Sequence, residues 1–223
     1  MIVEVAMSLS GFLFLLIIIT LVAGERFGYS VISDLDSDTK LQEISKDPKK
    51  FKIGAMLALI EHGTIIALAI MLFLAFNPYN IILAVIWTIS RITEGLINFY
   101  NEKNYWGLLN IARQYSSSSG AEKKSLSELG RSILKTKNSV FAFAQILFSI
   151  GTLSYSILFA TSEAVPVPAI IGWFGIVASI LYGFGNGIIL VKPNKAMKIF
   201  SVGLLILIFE VVLGGWLLFS PLT

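Results

Sequence analysis

The stretch that decides the fold is Ile81–Tyr100, which reads IILAVIWTISRITEGLINFY. A helix needs roughly 20 mostly apolar residues to cross the hydrocarbon core of a bilayer, and this run has that length. Arg91 and Glu94 interrupt the run near its middle, three residues apart on one helix face. Charged side chains at this depth are costly, and they usually face a bundle interior and mark a functional site. The run therefore predicts a membrane-spanning helix with two buried charges, which can pair with each other within the span or each pair with a group on another helix.

Five further apolar runs have a similar length. The chain has 223 residues, 56% hydrophobic and 14% charged, a balance that points to lipid as part of its solvent. The sequence therefore predicts a single all-α domain over residues 1–223, a polytopic integral membrane protein built as a six-helix transmembrane bundle. The predicted spans are Val5–Ala23, Ile53–Phe76, Ile81–Tyr100, Val140–Ala160, Ala169–Val191 and Ala196–Phe219, joined by polar inner loops at 24–52 and 101–138.

The basic residues are distributed on one side of the predicted bundle. Of the 17 Lys and Arg residues, Arg91 lies in the middle of a span, and all others lie in the first, third and fifth connections or, in the case of Lys198, at the start of the sixth span beside the fifth connection. The positive-inside rule then places these basic loops in the cytoplasm and both termini outside the cell membrane. The first basic residue is Arg26, so the first run lacks the basic start of a cleaved signal and is expected to be retained.

Ionisable side chains also interrupt two other runs. Glu61 and His62 lie about ten residues into the second run, and Glu210 lies about nine residues before the end of the sixth. With a rise of 1.5 Å per residue, these groups and Arg91 are all roughly 15 Å deep, so we expect them to meet near the midplane. The binding or proton-relay candidates are Glu61, His62, Arg91, Glu94 and Glu210, with Asn98, Gln145 and Asn186 as secondary polar residues.

The charge balance of this predicted cluster favours proton chemistry. Three carboxylates face one permanent cation, Arg91, and one titratable ring, His62. Surplus negative charge is expensive in a low-dielectric interior, so at least one group should hold a proton or bind a cation. A carboxylic acid held neutral in this way suits proton relay, and it equally suits a structural hydrogen bond.

Several kinds of site are disfavoured by residue types. The chain has no cysteine and one histidine, which excludes disulfides, thiolate ligands and a cysteine nucleophile and argues against a metal centre. Asp34, Asp36 and Asp38 have the spacing of a calcium loop but lack its central glycine and final glutamate, so a solvated loop is expected. No nucleic-acid partner is predicted, because the basic residues flank spans and form no groove-reading motif. The sequence assigns no cofactor and no oligomeric state.

Three functions fit this pattern. The first is binding or transport of a small solute or proton, with the lipid bilayer as the surrounding partner. The second is an intramembrane enzyme that acts on a lipid, with a carboxylate or His62 as base. The third is a structural or regulatory subunit in which buried ion pairs only fix helix register. We favour the first, and whether the chain is an enzyme stays open.

Tryptophans and glycines have simpler interpretations. We expect Trp87, Trp173 and Trp216 to lie in the aromatic belts or to face lipid. Glycines such as Gly172, within GWFG at 172–175, and Gly214 are expected to permit close approach between helices.

Short motifs along nearly the whole chain carry a resemblance to a known family. They are Leu41–Ile44, Ser90–Glu94, Tyr155–Phe159, Pro166 with Ile171–Gly175, and Phe209–Glu210 with Gly215–Leu217. The chain resembles the bacterial and archaeal membrane proteins called domain of unknown function 4386. The resemblance implies a six-helix fold in which Arg-x-x-Glu and the sixth-span glutamate recur, and it implies no activity. The chain departs from the family's pattern by carrying Glu4 and Glu163 where similar proteins have basic residues.

Overall fold

The computed structural model describes residues 2–191 and 200–220, and the described residues contain helices and no strand. The helices are α1 (Ile2–Arg26), α2 (Ser37–Lys46), α3 (Pro48–Phe76), α4 (Ile81–Trp106), α5 (Leu108–Ser117), α6 (Gly120–Thr161), α7 (Ala169–Val191) and α8 (Phe200–Phe219).

Six of these helices pack in a closed ring. Each of α1, α3, α4, α6 and α7 contacts the next in this order, and α8 lies between α7 and α1. Five of the six are long and apolar enough to cross a membrane, and the described apolar part of α8, Gly203–Phe219, is shorter. The all-α, six-helix prediction is confirmed.

The ring encloses an aromatic and aliphatic core. Trp87, Tyr155 and Phe209 are fully buried in it, and the rings of Tyr155 and Phe209 stack with centroids 6.3 Å apart. The prediction that Trp87 faces lipid is therefore wrong, because the residue lies on the same face of α4 as Arg91 and points inward with it. Trp173 and Trp216 are exposed, as expected for residues at the lipid boundary.

Helix starts follow ordinary capping rules. Asn80 accepts a hydrogen bond from the Leu83 amide at the start of α4, and Asp47 accepts one from the Lys50 amide at the start of α3. Pro48 occupies the first turn of α3, where its missing amide proton costs nothing.

The two polar connections are mostly helical, and their helices α2, α5 and the first part of α6 agree with the short helices that the sequence predicts near Leu41–Lys46, Tyr105–Tyr115 and Glu122–Lys137. α2, α5 and the first half of α6 pack together at one end of the ring, and we call this group the cap. A second apolar core holds the cap together; it includes Leu41, Ile44, Leu108 and Leu134. These helices are amphipathic and short of apolar residues overall, so a search for long apolar runs does not detect them.

One helix joins the cap to the ring. α6 has 42 residues, about 63 Å of helix, which is roughly twice the thickness of a hydrocarbon core. The polar helix expected at 122–137 and the span expected from Val140 are therefore one continuous element. The first and third basic connections both belong to the cap end; Lys192, Lys195 and Lys198 of the fifth lie outside the described residues.

Glycine allows two close helix contacts. A Cβ on Gly172 of α7 would lie 2.4 Å from the backbone nitrogen of Ala160 on α6. A Cβ on Gly214 of α8 would lie 2.8 Å from the Cβ of Phe14 on α1. Both contacts agree with the packing role expected for these residues.

Candidate functional site

Arg91 and Glu94 pair with each other within α4, which is one of the two arrangements that their spacing allows. The Arg91 Nη1 atom lies 2.8 Å from the Glu94 Oε2 atom, and both residues are almost fully buried. Neither atom reaches a hydrogen-bonding geometry with any described residue, so the pair is held by charge rather than by aligned hydrogen bonds. A buried pair of this kind is strongly destabilised when one partner is removed.

The Arg91 guanidinium is enclosed on its other sides. Its central carbon lies 4.4 Å from the centre of the Phe148 ring on α6, in a cation–π contact. Gly151 of α6 makes room for the side chain, since a Cβ there would lie 2.9 Å from Arg91 Cγ. Arg91 is therefore occupied by Glu94 and Phe148, and the structure favours a counter-ion role over the binding of an external anion.

Glu61 and Glu210 approach this pair without pairing to it. Glu210 is 8% exposed and lies within electrostatic range of Arg91 and Glu94. Glu61 is partly buried and interacts electrostatically with Glu94 and Glu210 on one side and with Glu102 and Lys137 on the other. Among the described residues, neither carboxylate makes a hydrogen bond or an ion pair.

His62 turns away from the Arg91–Glu94 pair toward the cap. Its Nε2 atom lies 3.8 Å from Oε1 of Glu102, and its ring packs edge-on against Phe99. The ring is 4% exposed, and neither nitrogen has a hydrogen-bond partner within the described part of the chain. Glu94 is within electrostatic range of the same ring, so His62 lies between Glu102 and the Arg91–Glu94 pair, which we call the midplane pair.

A second buried cluster, which the sequence reasoning did not identify, lies where the ring meets the cap. Glu102 is 3% exposed and accepts a hydrogen bond at Oε1 from the Tyr29 hydroxyl. Lys137 of α6 is also buried, and its ammonium lies 4.6 Å from the ring centres of both Tyr29 and Tyr105. We call Tyr29, Glu102, Tyr105 and Lys137 the junction cluster. Its charged members lie outside the apolar runs, which is why a search for intramembrane charges missed them.

One signal in the sequence does point to the junction cluster. Along α4 the buried polar residues recur at helical spacing and continue past the end of the apolar run. A stripe with this period stays on one face of the helix. The face that carries the midplane pair therefore continues into the cap; its polar members are Ser90, Arg91, Glu94, Asn98, Asn101, Glu102 and Tyr105.

The Tyr29 phenol is held in its protonated form. Burial raises the pKa of Tyr29 well above its ordinary value, and the charge of Glu102 and the hydrogen bond to it raise that pKa further. The phenol therefore donates to Glu102 throughout the neutral range, and Oε1 of Glu102 is shared between Tyr29 and His62.

The secondary polar residues are divided between the ring's interior surfaces. Asn98 is buried on the polar face of α4, and the Gln145 side chain of α6 lies beside the Glu94 carboxylate. Asn186 is buried on α7, where its amide donates to the Tyr182 carbonyl at 2.9 Å. Asn186 is thus satisfied within its own helix and stands apart from the ionic groups.

The acidic run between α1 and α2 has a structural role. Asp36 caps α2 by accepting from the Thr39 amide, and Asp38 accepts from the Tyr115 hydroxyl of α5 at 2.9 Å. These residues line a concavity of about 390 Å³ on the cap together with Arg131. Across the described ranges, no group of three or more His, Asp or Glu side chains is arranged to hold a metal ion.

Comparison with known proteins gives the family of the chain. Its model, described as Domain of unknown function (DUF4386), matches residues 9–220, so the chain belongs to this family. No curated protein and no solved structure matches the chain.

Proposed function

We propose that this family member binds and relays a proton between the cap end of the ring and the midplane. The relay consists of Glu102, His62, Glu61 and Glu94, with Glu210 beyond the midplane pair. The observation that carries the proposal is the position of His62, a buried imidazole with two unpartnered nitrogens between Glu102 and Glu94. An imidazole in that position can accept a proton on one nitrogen and release one from the other.

The charge balance supports a proton as the ligand. Glu61 is within electrostatic range of three other carboxylates, Glu94, Glu102 and Glu210, and the cations beside this group are Arg91 and Lys137. Two negative charges are left over, and His62 balances one of them when it is protonated. A low-dielectric interior favours neutralisation of such a surplus, and protons are the smallest ligands that neutralise it.

The cap end is the side from which the relay opens. The basic first and third connections form this end, so the positive-inside rule assigns it to the cytoplasm. A small solute that moves together with the proton also fits the site, provided that it carries no negative charge, because Arg91 is already paired.

The single histidine makes the relay measurable. Protein labelled with ¹⁵N-histidine and purified without a histidine tag gives one imidazole, whose nitrogen shifts report its charge and tautomer as pH is varied. We expect Glu102→Gln and Glu94→Gln each to change the nitrogen shifts of this imidazole, because each alters a carboxylate that acts on the ring. Glu122→Gln, at an exposed position of α6, is the matched control.

Transport is tested with the same variants in vesicles. The protein in liposomes with an internal pH dye should conduct protons down an imposed gradient, and His62→Gln should slow this flux roughly 100-fold, the effect typical of removing a positioned proton carrier. Unchanged imidazole titration in both glutamate variants, together with no flux above empty liposomes, would contradict the relay and favour a structural role for the buried charges.

A further inference from the structure

The segment between α1 and α2 covers the cap end of the proposed relay. Tyr29 is buried, packs edge-on against Tyr105 with centroids 5.5 Å apart, and donates its hydroxyl to Oε1 of Glu102. That oxygen is also the one nearest to His62 Nε2. Tyr29 therefore occupies the position from which a proton or a water molecule would reach Glu102 from the cap.

Lys137 holds this segment in place through three oxygens. Its ammonium donates to the Ser30 carbonyl at 2.5 Å, the Val31 carbonyl at 3.0 Å and the Ser33 hydroxyl at 3.4 Å. Charge-assisted hydrogen bonds of this kind are stronger than neutral ones. They also satisfy backbone carbonyls in a stretch that has no helix of its own.

Asn138, the next residue of α6, fixes the end of the same segment. Its side-chain amide donates to the Ser33 carbonyl at 2.8 Å, and its Oδ1 accepts from the Ser33 amide at 2.9 Å. Two consecutive residues of α6 therefore bind Ser30, Val31 and Ser33 with five hydrogen bonds, four to backbone atoms and one to the Ser33 hydroxyl.

A structural lysine on a helix surface would normally extend into water. Lys137 is instead 2% exposed, and it makes no ion pair within 4 Å to a described residue. The nearest charge effect comes from the Glu102 carboxylate, which acts on the ammonium electrostatically without contact. Burying an ammonium in this way is costly, so its location calls for a role that a neutral side chain cannot perform. The oxygens that it contacts identify that role as holding the Tyr29–Ser33 backbone.

We infer that Lys137 is a positioning residue that keeps Tyr29–Ser33 as a plug over Glu102 and His62, and so controls access to the relay from the cap end. The inference rests on the proposed function for its meaning, but the plug itself is tested separately. Release of Lys137 from Ser30 and Val31 frees the segment, and Tyr29 then leaves Oε1 of Glu102 open.

Access to His62 is the direct readout of the plug. Diethylpyrocarbonate modifies imidazoles, and peptide mass spectrometry of the full chain in detergent follows the rate at this single histidine. We expect Lys137→Met to raise the rate about tenfold or more, because opening no longer breaks the ammonium's hydrogen bonds. Lys137→Arg should restore much of the protection, and Lys135→Met, at an exposed position two residues earlier, should match the unaltered protein.

A disulfide tests the plug without weakening it. The chain has no native cysteine, and Ser33 and Asn138 face each other closely, so Ser33→Cys with Asn138→Cys should form a bond that fastens the segment to α6. The oxidised form should react with the reagent several-fold more slowly than the same protein after reduction. This arm does not depend on whether Lys137→Met folds.

The outcomes separate the plug from the relay. Equal reaction rates for the oxidised and reduced disulfide variants, or for folded Lys137→Met and the unaltered protein, would overturn the plug. If the disulfide slows the reaction of His62 but Glu102→Gln leaves the nitrogen shifts of its imidazole unchanged, the plug is supported and the relay is rejected. A coupled titration with no protection by the disulfide would keep the relay and reject the plug.

Discussion

Arg91 and Lys137 are two buried cations that the fold treats in different ways. Arg91 lies in the ring, pairs with a carboxylate three residues away on its own helix, and stacks on a ring of α6. Lys137 lies at the junction, and its hydrogen bonds go to a segment more than 100 residues away in sequence. The first cation is neutralised locally, and the second is used to attach a chain segment that lacks its own secondary structure.

The difference shows what each charge stabilises. Removing Arg91 leaves Glu94 unpaired inside the ring, so the free energy of unfolding of the whole bundle is expected to fall. Removing Lys137 frees one segment and the cap that packs around it, so the cost is expected to stay local. The following four measurements test this contrast, beginning with the largest expected effect.

Substitutions of Arg91 and Glu94 should have strongly non-additive effects on the free energy of unfolding. Arg91→Met is expected to lower the free energy of unfolding by about 3–5 kcal/mol, because it leaves a buried carboxylate without a counter-ion. Arg91→Met combined with Glu94→Met should restore most of the loss, since both charges are then absent. Denaturant unfolding in detergent measures both. A double variant that is as unstable as the sum of the single variants would show that the charges are not coupled.

Lys137→Met should loosen the cap and spare the ring. Loss of its charge-assisted hydrogen bonds is expected to cost about 2–3 kcal/mol locally. Hydrogen–deuterium exchange should therefore accelerate in residues 29–46, while α7 exchanges as in the unaltered protein. Equal acceleration in α7 would mean that Lys137 supports the entire bundle and that the contrast with Arg91 is false.

Each cluster also depends on a glycine. A Cβ on Gly151 would lie 2.9 Å from Arg91 Cγ, and one on Gly54 would lie 3.0 Å from Tyr29 Cβ. We expect Gly151→Ala and Gly54→Ala each to destabilise by about 1–3 kcal/mol through overpacking. Gly187→Ala is the control, because apart from its own helix backbone no described residue places an atom within 4 Å of that Cβ. Thermal unfolding of the three variants measures the effect, and a loss in the control equal to that in the others would show that the contacts are not responsible.

The Tyr29 hydroxyl should contribute to stability only below strongly alkaline pH. Burial and Glu102 raise the pKa of Tyr29 in the folded protein, so its stabilising contribution is complete below pH 10, the ordinary value, and is lost as the pH rises toward the folded value. The difference in unfolding free energy between the unaltered protein and Tyr29→Phe should shrink by up to about 1.4 kcal/mol per pH unit above pH 10. A difference that stays constant up to pH 11 would argue against the hydrogen bond to Glu102.

The ring was largely predictable because its signals are local. The length of each apolar run sets a span, and Asn80 and Pro48 mark helix starts through nearest-neighbour chemistry. Helical spacing made the pairing of Arg91 with Glu94 possible, and the structure selects it over pairing across helices. The helices of the cap were predictable as local elements, but their packing into one unit was not, because the stability of such short amphipathic helices comes from contacts with one another.

The direction in which the His62 side chain points could not be predicted from its depth along the second apolar run. Its position along α3 is compatible with contact to Glu210 or to the junction, and only the rotation of α3 against α4 places it beside Glu102. Trp87 shows the same limit, since an apolar side chain in a span faces lipid or core according to helix rotation. Hydropathy does not distinguish these two apolar environments.

The sequence by itself determined the helical class, the family and the places where buried charges interrupt the apolar runs, because all of these depend on length, hydropathy or motifs. The tertiary structure decided that α6 runs unbroken from cap to ring and that Tyr29, Glu102 and Lys137 come together. The physical reason is that these contacts join residues far apart in sequence, and such contacts form only when the packing of whole helices has fixed their rotation and register.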